Sequence, residues 1–192
     1  MTKEEVLKLF KDTGALLEGH FQLSSGLHSP QYFQCAKVLQ YPHYTEVLCR
    51  EIAQHFKEMN VDVVISPALG GIVVGQEVAR QLRARSIFAE RADGILQLRR
   101  GFEIKTAERV LACEDAVTTG GSIGEVLDIV KKRGGSIVGT ACLVDRTTRK
   151  PGSDQRERLF SLLKMDVVTY EPAQCPLCQQ NIPLVKPGSR SV

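Results

Sequence analysis

The segment 110–122, which reads VLACEDAVTTGGS, carries residue types that could bind a phosphate group. Gly120 and Gly121 allow a tight turn with positive φ, and a helix that follows would direct free amides and its positive dipole end at that turn. Hydroxyl donors at the turn come from Thr118, Thr119 and Ser122. The segment lacks the Gly-Lys-Ser/Thr of a nucleotide P-loop and the Gly-x-Gly-x-x-Gly of a dinucleotide site. Taken alone, the turn could also simply join a strand to a helix.

Two adjacent carboxylates, Glu114 and Asp115, precede this turn and favour the phosphate interpretation. Neighbouring anions are unfavourable beside a phosphate unless they bind something else. Carboxylates accept hydrogen bonds from hydroxyl groups, and a vicinal diol offers two such donors. A phosphate on the turn with a diol on the acids describes a pentose 5-phosphate. The alternative is an acid pair that is stabilised only by the helix dipole.

The elements that must position these residues alternate between short apolar strands and amphipathic helices. Strands are predicted at 61–66, 86–90, 109–115 and 136–146, and helices at about 71–82 and 121–132. This alternation predicts an α/β fold with a mostly parallel central sheet flanked by helices. Ligands of such sheets bind at the carboxyl ends of the strands, where SPALGG (66–71), EDAVTTGGS (114–122) and Asp145-Arg146 fall.

The N-terminal third has a different pattern. Thr2 and Glu5 have capping-box spacing at the start of a short helix that ends at Gly14. Two strand-like pieces around Ser25 and Gly26 predict a hairpin apart from the main sheet, and Pro42 begins another helix.

Composition limits the class of protein. The chain has 192 residues, 43% hydrophobic and 24% charged, with a net charge of +3, which predicts a single domain over 1–192. The charge is mild and not clustered, so we expect no nucleic-acid partner. No apolar run approaches the roughly 18 residues of a membrane span, so we expect no membrane association and a cytoplasmic location. The polar stretch 147–158 is interpreted as a surface loop.

Six cysteines are spread along a chain too large to need disulfide bonds, so we expect reduced, packed thiols. Cys175 and Cys178, in the sequence CPLC, match half of a tetrahedral zinc or iron site. No second pair follows and no histidine lies near them in the sequence. We therefore assign no metal ligands and expect packed thiols, with a metal site shared across a dimer as the alternative.

The segment 110–122 resembles the phosphoribosyl-diphosphate signature of the type I phosphoribosyltransferases, in which an acidic pair precedes Thr-Thr-Gly-Gly-Ser. Three further segments are similar to the orotate-specific members of that family. FQLSSGLHSPQYF at 21–33 resembles their N-terminal hood, SPALGGI at 66–72 their pyrophosphate loop, and LVDR at 143–146 the strand end that supplies an orotate-binding arginine. The resemblance spans nearly all of residues 1–150.

This resemblance implies the type I phosphoribosyltransferase fold, with a hood formed by about residues 1–40 and the C-terminal segment. It implies transfer of ribose 5-phosphate from phosphoribosyl diphosphate to orotate, which gives orotidine 5'-monophosphate and pyrophosphate in pyrimidine (UMP) biosynthesis. The implied cofactor is Mg²⁺, bound mainly through the substrate diphosphate, and the implied assembly is a homodimer.

The resemblance also implies roles for individual residues. It assigns phosphoribosyl diphosphate to Leu69, Gly70, Glu114, Asp115, Ala116, Val117, Thr118, Thr119, Gly120, Gly121 and Ser122. It assigns orotate to Thr118, Arg146, Tyr32 and Phe33. A guanidinium can bind the orotate carboxylate with two hydrogen bonds, although Arg146 could instead form a surface ion pair, and Tyr32 and Phe33 could be plain core aromatics.

The cationic residues depart from the family pattern. Many members carry a mobile loop with Lys and a Lys-x-His element that reaches the neighbouring subunit's pyrophosphate, whereas ERADGILQLRRGFEIK (90–105) contains no histidine. We assign this catalytic role to Arg99 and Arg100, and for the arginines a solvated basic loop is the alternative. The other two predicted catalytic residues are Glu114 and Asp115. Members also often have lysines where this chain has Ser24 and Gly70.

Three other functions are compatible with parts of the sequence. A purine or xanthine phosphoribosyltransferase shares the central signature, and only the hood and Arg146 argue against it. A regulatory protein could keep the loop as a sensor of phosphoribosyl diphosphate without catalysis. A redox or zinc module based on CPLC would leave the central segment unexplained.

Overall fold

A six-stranded sheet forms the centre of the protein, and helices cover both of its faces. The structure is a computed structural model that describes residues 1–23, 25–147, 159–165 and 168–187. The strands are β1 (Leu16–Gln22), β2 (His28–Phe33), β3 (Val63–Pro67), β4 (Arg85–Ala92), β5 (Ile95–Leu98), β6 (Arg109–Val117), β7 (Ser136–Asp145) and β8 (Leu159–Lys164). The helices are α1 (Lys3–Asp12), α2 (Ala36–Leu39), α3 (Pro42–Phe56), α4 (Gly70–Leu82), α5 (Gly121–Lys132) and α6 (Pro176–Gln179).

The strand order in the central sheet is β5-β4-β3-β6-β7-β8. Every neighbouring pair is parallel except β4 and β5, which are antiparallel. The predicted α/β fold with a mostly parallel sheet is therefore confirmed. The parallel strands end at one edge of the sheet, and that edge carries the segments that the sequence singled out.

The apolar strands are explained by burial on both faces of the sheet. All five residues of β3 are buried, and its side chains alternate between two cores. Val64 packs on the face covered by α3 and α4, whereas Val63 and Ile65 pack on the face covered by α5. A strand buried on both faces needs an unbroken apolar run, as the sequence shows.

The segment 90–105 differs from the predicted basic loop, because half of it belongs to a β-hairpin. Residues Ala92 and Ile95 are paired, so only Asp93 and Gly94 form the turn, and both have positive φ, 51° and 80°. An Asp-Gly pair between strands is a strong signal for a two-residue hairpin turn of this kind. The side chains that follow alternate, with Ile95 62% exposed and Leu96 buried. The sequence therefore contained the signal for β5, and the prediction missed it.

The predicted N-terminal elements are present. The capping box at Thr2 and Glu5 forms, and β1 and β2 make an antiparallel sheet separate from the central one. The C-terminal segment 168–187 lies against this hairpin through four backbone hydrogen bonds, in which Val185 pairs with His20 and Gln22, and Tyr170 pairs twice with His28. Ser24 and nearly all of the predicted surface loop 147–158 lie outside the described residues.

Membrane insertion was not expected from the sequence. In the described part of the chain, no helix has both the length and the apolar character that a membrane span requires.

Candidate functional site

The segment 110–122 forms a strand, a turn and the start of a helix, as predicted. Strand β6 ends at Val117, and Gly120 caps α5 with a φ of 75°, a left-handed conformation that favours glycine. Thr118 and Thr119 are exposed, and the Gly121 amide donates to the Thr119 hydroxyl over 3.3 Å. The turn thus presents two threonines and the amino end of a twelve-residue helix at the carboxyl edge of the sheet.

Asp115 is one of two half-buried carboxylates at the end of β6. Burial raises the pKa of its carboxyl group above the ordinary value, and hydrogen bonds from the backbone amides of Ala116 and Asp115 oppose this shift. A Cβ atom on Gly70 would lie 2.5 Å from the Asp115 Oδ2 atom, so the amino end of α4 is in close contact with this carboxylate. The contact between Gly70 and Asp115 therefore joins the two segments that the resemblance assigned to phosphoribosyl diphosphate.

Glu114 precedes Asp115 on the same strand, so the two side chains leave opposite faces of the sheet. Glu114 is half-buried and lies opposite Cys142 of β7. Burial raises the pKa of the Cys142 thiol, and the charges on Asp145 and Glu114 raise it further. Because both acids lie three residues or fewer from the end of β6, a ligand lying across the edge of the sheet can meet both carboxylates.

The SPALGG segment ends β3 and begins α4 in a very close packing arrangement. Leu69 is 79% exposed, and the peptide that precedes it, after Ala68, is cis. A Cβ atom on Gly71 would lie 3.2 Å from Pro67, and at Gly70 the clash is with Asp115. A side chain at position 70 would therefore have to displace the Asp115 carboxylate from its place in this arrangement.

Arg146 lies beside the aromatic residues of the hairpin. Its guanidinium carbon is 5.7 Å from the centre of the Phe33 ring, a cation–π distance. Burial lowers the pKa of this guanidinium, and the Arg146 charge opposes the burial-raised pKa of Tyr32. The Arg146 Nε atom is buried without a hydrogen-bond partner in the part of the chain that the structure describes. A buried guanidinium donor without a partner is costly, so this atom fits an anionic ligand.

Cys35 connects this group to the segment 110–122. Its thiol is buried 3.8 Å from the backbone oxygen of Asp115. Burial raises the pKa of Cys35 strongly, the charge on Asp115 raises it further, and the charge on Arg146 lowers it. The residues predicted to bind orotate, Arg146, Tyr32 and Phe33, therefore share one space with Asp115.

Arg99 and Arg100 follow β5, at the end of the sheet order opposite to β7, after which Arg146 lies. Arg100 forms two 2.7 Å hydrogen bonds to Glu90 of β4, and its guanidinium lies 5.8 Å from the Phe88 ring centre. Leu98 is paired with Ala89, whose carbonyl accepts a hydrogen bond from Ala68. The two arginines therefore begin level with the SPALGG segment, two strand spacings or about 10 Å away.

Among the described residues, the predicted site contains no group of three potential metal ligands. Such a group occurs elsewhere, at His20, His28, Cys175 and Cys178. The sequence analysis missed the two histidines because they are about 150 residues from the cysteines. The signal that could have found them was the hairpin itself, since residues on either side of its turn must face each other.

Comparison with known proteins agrees with this geometry. Residues 39–170 match the sequence profile of the phosphoribosyl transferase domain family. Orotate phosphoribosyltransferase of Caldicellulosiruptor saccharolyticus is 56% identical over 192 residues, which cover both chains completely. That of Chlorobaculum parvum is 54% identical over 191 residues, covering 100% of this chain and 98% of its own.

A solved structure shows the same fold. The crystal structure of orotate phosphoribosyltransferase from Aeropyrum pernix superimposes with a TM-score of 0.69 at 25% identity, covering 83% of this chain and 93% of its own. The family profile covers more than half of the chain, and the two relatives match it from end to end. The chain belongs to the phosphoribosyltransferase family, and within it to the orotate phosphoribosyltransferases.

Proposed function

We propose that the protein transfers ribose 5-phosphate from phosphoribosyl diphosphate to orotate, giving orotidine 5'-monophosphate and pyrophosphate in pyrimidine biosynthesis. The observation that carries the proposal is the convergence of Asp115, the Gly120 turn and the buried Arg146 Nε atom, which has no hydrogen-bond partner among the described residues, at one edge of the sheet. These groups match the diol, the phosphate and the carboxylate of the two substrates. The full-length relatives named above support orotate over a purine base.

The ribose 5-phosphate is held by β6 and α5. The 5-phosphate occupies the turn from Thr118 to Ser122, where amide groups and hydroxyls donate to its oxygens. The ribose hydroxyls donate to Glu114 and Asp115, with Ala116 and Val117 between the acids and the turn. This arrangement fixes the anomeric carbon relative to both the incoming base and the departing diphosphate, and positioning supplies much of the rate.

Orotate binds between Arg146 and the hairpin. The Arg146 guanidinium binds the orotate carboxylate, Thr118 contacts the base, and the Tyr32 and Phe33 backbone faces the pyrimidine ring. Because Arg146 is already largely desolvated, little hydration is lost when the anion arrives, and the ion pair is strong in the low-dielectric setting.

Charge develops in two places during the reaction. Positive charge grows on the ribose ring as the bond to pyrophosphate breaks, and the Asp115 and Glu114 carboxylates stabilise it. Negative charge grows on the leaving pyrophosphate, which the amides of Leu69 and Gly70 and the side chains of Arg99 and Arg100 stabilise. No nucleophilic side chain takes part, since the nitrogen of orotate displaces the diphosphate directly.

Mg²⁺ is the proposed cofactor. It prefers oxygen ligands and usually combines one or two carboxylates with substrate phosphates. The ion would be held mainly by the substrate diphosphate, and the carboxylates of Asp115 and Glu114 are the protein oxygens suited to assist. The ion supplies neutralisation of the leaving group when bound.

The proposed working unit is a homodimer in which Arg100 acts on the neighbouring subunit's diphosphate. Co-expression of Arg100→Ala and Asp115→Asn chains tests this, because a hybrid dimer then has one site with both substitutions and one site with neither. When Arg100→Ala alone keeps about a fifth of the activity, random pairing should give about 30% of the wild-type activity if Arg100 acts across the dimer, and about 10% if it acts in its own subunit. Activity no higher than that of the two separate variants would place Arg100 in its own subunit's site.

The proposed location is the cytoplasm, since all six cysteines are free and five are buried, as is typical of a reducing compartment.

The test of the reaction is direct. Purified protein is mixed with orotate, phosphoribosyl diphosphate and Mg²⁺, and the ultraviolet absorbance of orotate is followed. We expect its decay with stoichiometric pyrophosphate release. Turnover of a purine base instead, or binding of phosphoribosyl diphosphate without turnover of any base, would refute the proposal.

A further inference from the structure

The hairpin β1–β2 and the C-terminal segment 168–187 meet at a cluster of two histidines and two cysteines. The ligand atoms of His20, His28, Cys175 and Cys178 all lie within 4.8 Å of one another. His20, His28 and Cys175 are 2%, 4% and 1% exposed, whereas Cys178 is exposed. The cluster involves none of the residues assigned above to substrate.

We propose that these four side chains bind one Zn²⁺ ion that fastens the C-terminal segment to the hairpin. Two cysteines and two histidines are a complete ligand set for a structural zinc site. Two thiolates also balance the charge of the ion, so a neutral site is buried at low electrostatic cost.

Four of the six distances between ligand atoms are close to those of a tetrahedral site, and binding of the ion would draw the remaining atoms, which lie within 4.8 Å of one another, closer together. With bonds of about 2.3 Å to sulfur and about 2.05 Å to nitrogen, sulfur and nitrogen ligands lie about 3.5 Å apart. The Cys175 Sγ atom is 3.5 Å and the Cys178 Sγ atom 3.7 Å from His20 Nε2, and Cys178 Sγ is 3.4 Å from His28 Nδ1. The two nitrogens are 2.9 Å apart, a few tenths of an ångström closer than the roughly 3.3 Å of a tetrahedral pair.

The outer hydrogen bonds also suit a metal ligand. The His20 Nδ1 atom lies 2.8 Å from the backbone oxygen of Ile182, to which it donates. The neutral ring then has its lone pair on Nε2, the atom at the centre of the cluster. A ring nitrogen that donates to a backbone carbonyl while the other binds metal is the usual arrangement of zinc-bound histidine.

The surrounding backbone explains what the ion would hold. Residues 168–187 contain two short helical turns and contact the hairpin through backbone pairs at Tyr170 and Val185, on either side of the cysteines. The hairpin carries Tyr32 and Phe33 at its other end. An ion at the cluster would therefore fix the end of the hairpin that carries His20 and His28. The opposite end, which carries Phe33, lies beside Arg146.

The first experiment measures metal in the full-length protein. After exhaustive dialysis in Mg²⁺ buffer, elemental analysis should find one zinc per chain, and the chelated protein should regain one equivalent on addition of Zn²⁺. Cobalt substitution should give the visible bands of tetrahedral Co²⁺ and thiolate charge transfer, which an oxygen-ligated magnesium site does not produce. Iron in place of zinc, a Cys175–Cys178 disulfide by mass spectrometry, or a chelated protein that takes up no zinc would each overturn the proposal.

The second experiment uses variants. Cys178→Ser is the mildest change because this side chain is exposed, and it should reduce the bound zinc at least tenfold at micromolar free zinc. His20→Ala should do the same, while Cys142→Ala and His43→Ala, which remove a thiol and an imidazole elsewhere, should keep one zinc per chain. Folding of each variant is checked by circular dichroism. Full zinc content in folded Cys178→Ser and His20→Ala would refute the assignment.

The last readout concerns stability. Removal of zinc from the wild-type protein should lower the melting temperature by several degrees and expose residues 168–187 to protease, and restored zinc should reverse both effects. Chelation of Cys178→Ser should change neither quantity. An identical melting temperature with and without zinc would show that the ion does not hold this segment.

Discussion

The segment 110–122 and the histidine–cysteine cluster differ in how the chain assembles them. The first comes from one continuous stretch, 110–122, in which the strand, the turn and the helix start follow one another. The second joins two segments about 150 residues apart, and neither half has a clear meaning alone. A site made from consecutive residues can be recognised by spacing, whereas a site made from distant segments needs the tertiary contacts first.

The largest effect should come from the continuous segment. Asp115→Asn removes one charge next to the ribose without changing shape, so we expect a loss in turnover of about 10²–10³-fold. Asp128→Asn, an exposed carboxylate on α5, is the control and should retain full activity. Wild-type turnover in Asp115→Asn would break the assignment of the segment to ribose.

The same variant should not lose stability. Because the folded-state pKa of Asp115 is raised, the folded protein binds this proton more tightly than the unfolded chain does. Ionised Asp115 therefore costs stability, and the cost appears as the pH rises from the ordinary aspartate pKa through the raised one. Thermal unfolding at neutral pH should show Asp115→Asn at least as stable as the wild type, with any advantage vanishing below the ordinary aspartate pKa.

Arg146 directly follows the neighbouring strand β7. Its substitution tests whether orotate binding depends on a residue outside the segment 110–122. Arg146→Lys keeps a charge but loses the planar fork, so the KM for orotate should rise about 10–100-fold while the KM for phosphoribosyl diphosphate stays within about twofold. Arg133→Lys, at an exposed position after α5, should change neither constant. Equal losses for both substrates would mean that Arg146 shapes the whole site rather than binding orotate.

Gly70 tests the contact between α4 and β6. The added methyl of Gly70→Ala would meet the Asp115 carboxylate, so we expect about tenfold weaker use of phosphoribosyl diphosphate and about 1–3 kcal/mol lower stability. Gly124→Ala is the matched control, because nothing lies within 4 Å of its added methyl. Steady-state kinetics and denaturant unfolding measure the two effects. Unchanged kinetics would show that the contact between Gly70 and Asp115 does not matter for the use of phosphoribosyl diphosphate.

Arg100 should give the smallest effect. Its charge is already paired with Glu90 in the exposed hairpin, so we expect Arg100→Ala to lower turnover only about fivefold, with orotate binding unchanged. The control is Arg91→Ala, because Arg91 is paired with Glu125. A loss confined to Arg91→Ala would transfer the cationic role to the hairpin strand β4.

The sequence was sufficient for the parts of the fold that local patterns determine. Apolar runs such as β3 and β6 predicted a sheet buried on both faces, and Gly120 and Gly121 predicted the turn before α5. It was insufficient where a residue's meaning depends on a distant neighbour. From the sequence, Gly70 was interpreted only as the absence of a lysine. The structure shows that the Asp115 carboxylate occupies the space that a side chain at position 70 would need. Strand β5 is an intermediate case, since Asp93 and Gly94 predict the turn but were overlooked among the arginines.

The backbone pairing of Val185 and Tyr170 with the β1–β2 hairpin also has a consequence for biogenesis. During synthesis the hairpin leaves the ribosome well before the segment 168–187 that pairs with it. The hairpin can therefore reach its final form only after residues 168–187 have been translated, so a product truncated before them is expected to lack a finished hairpin even when its central sheet has formed.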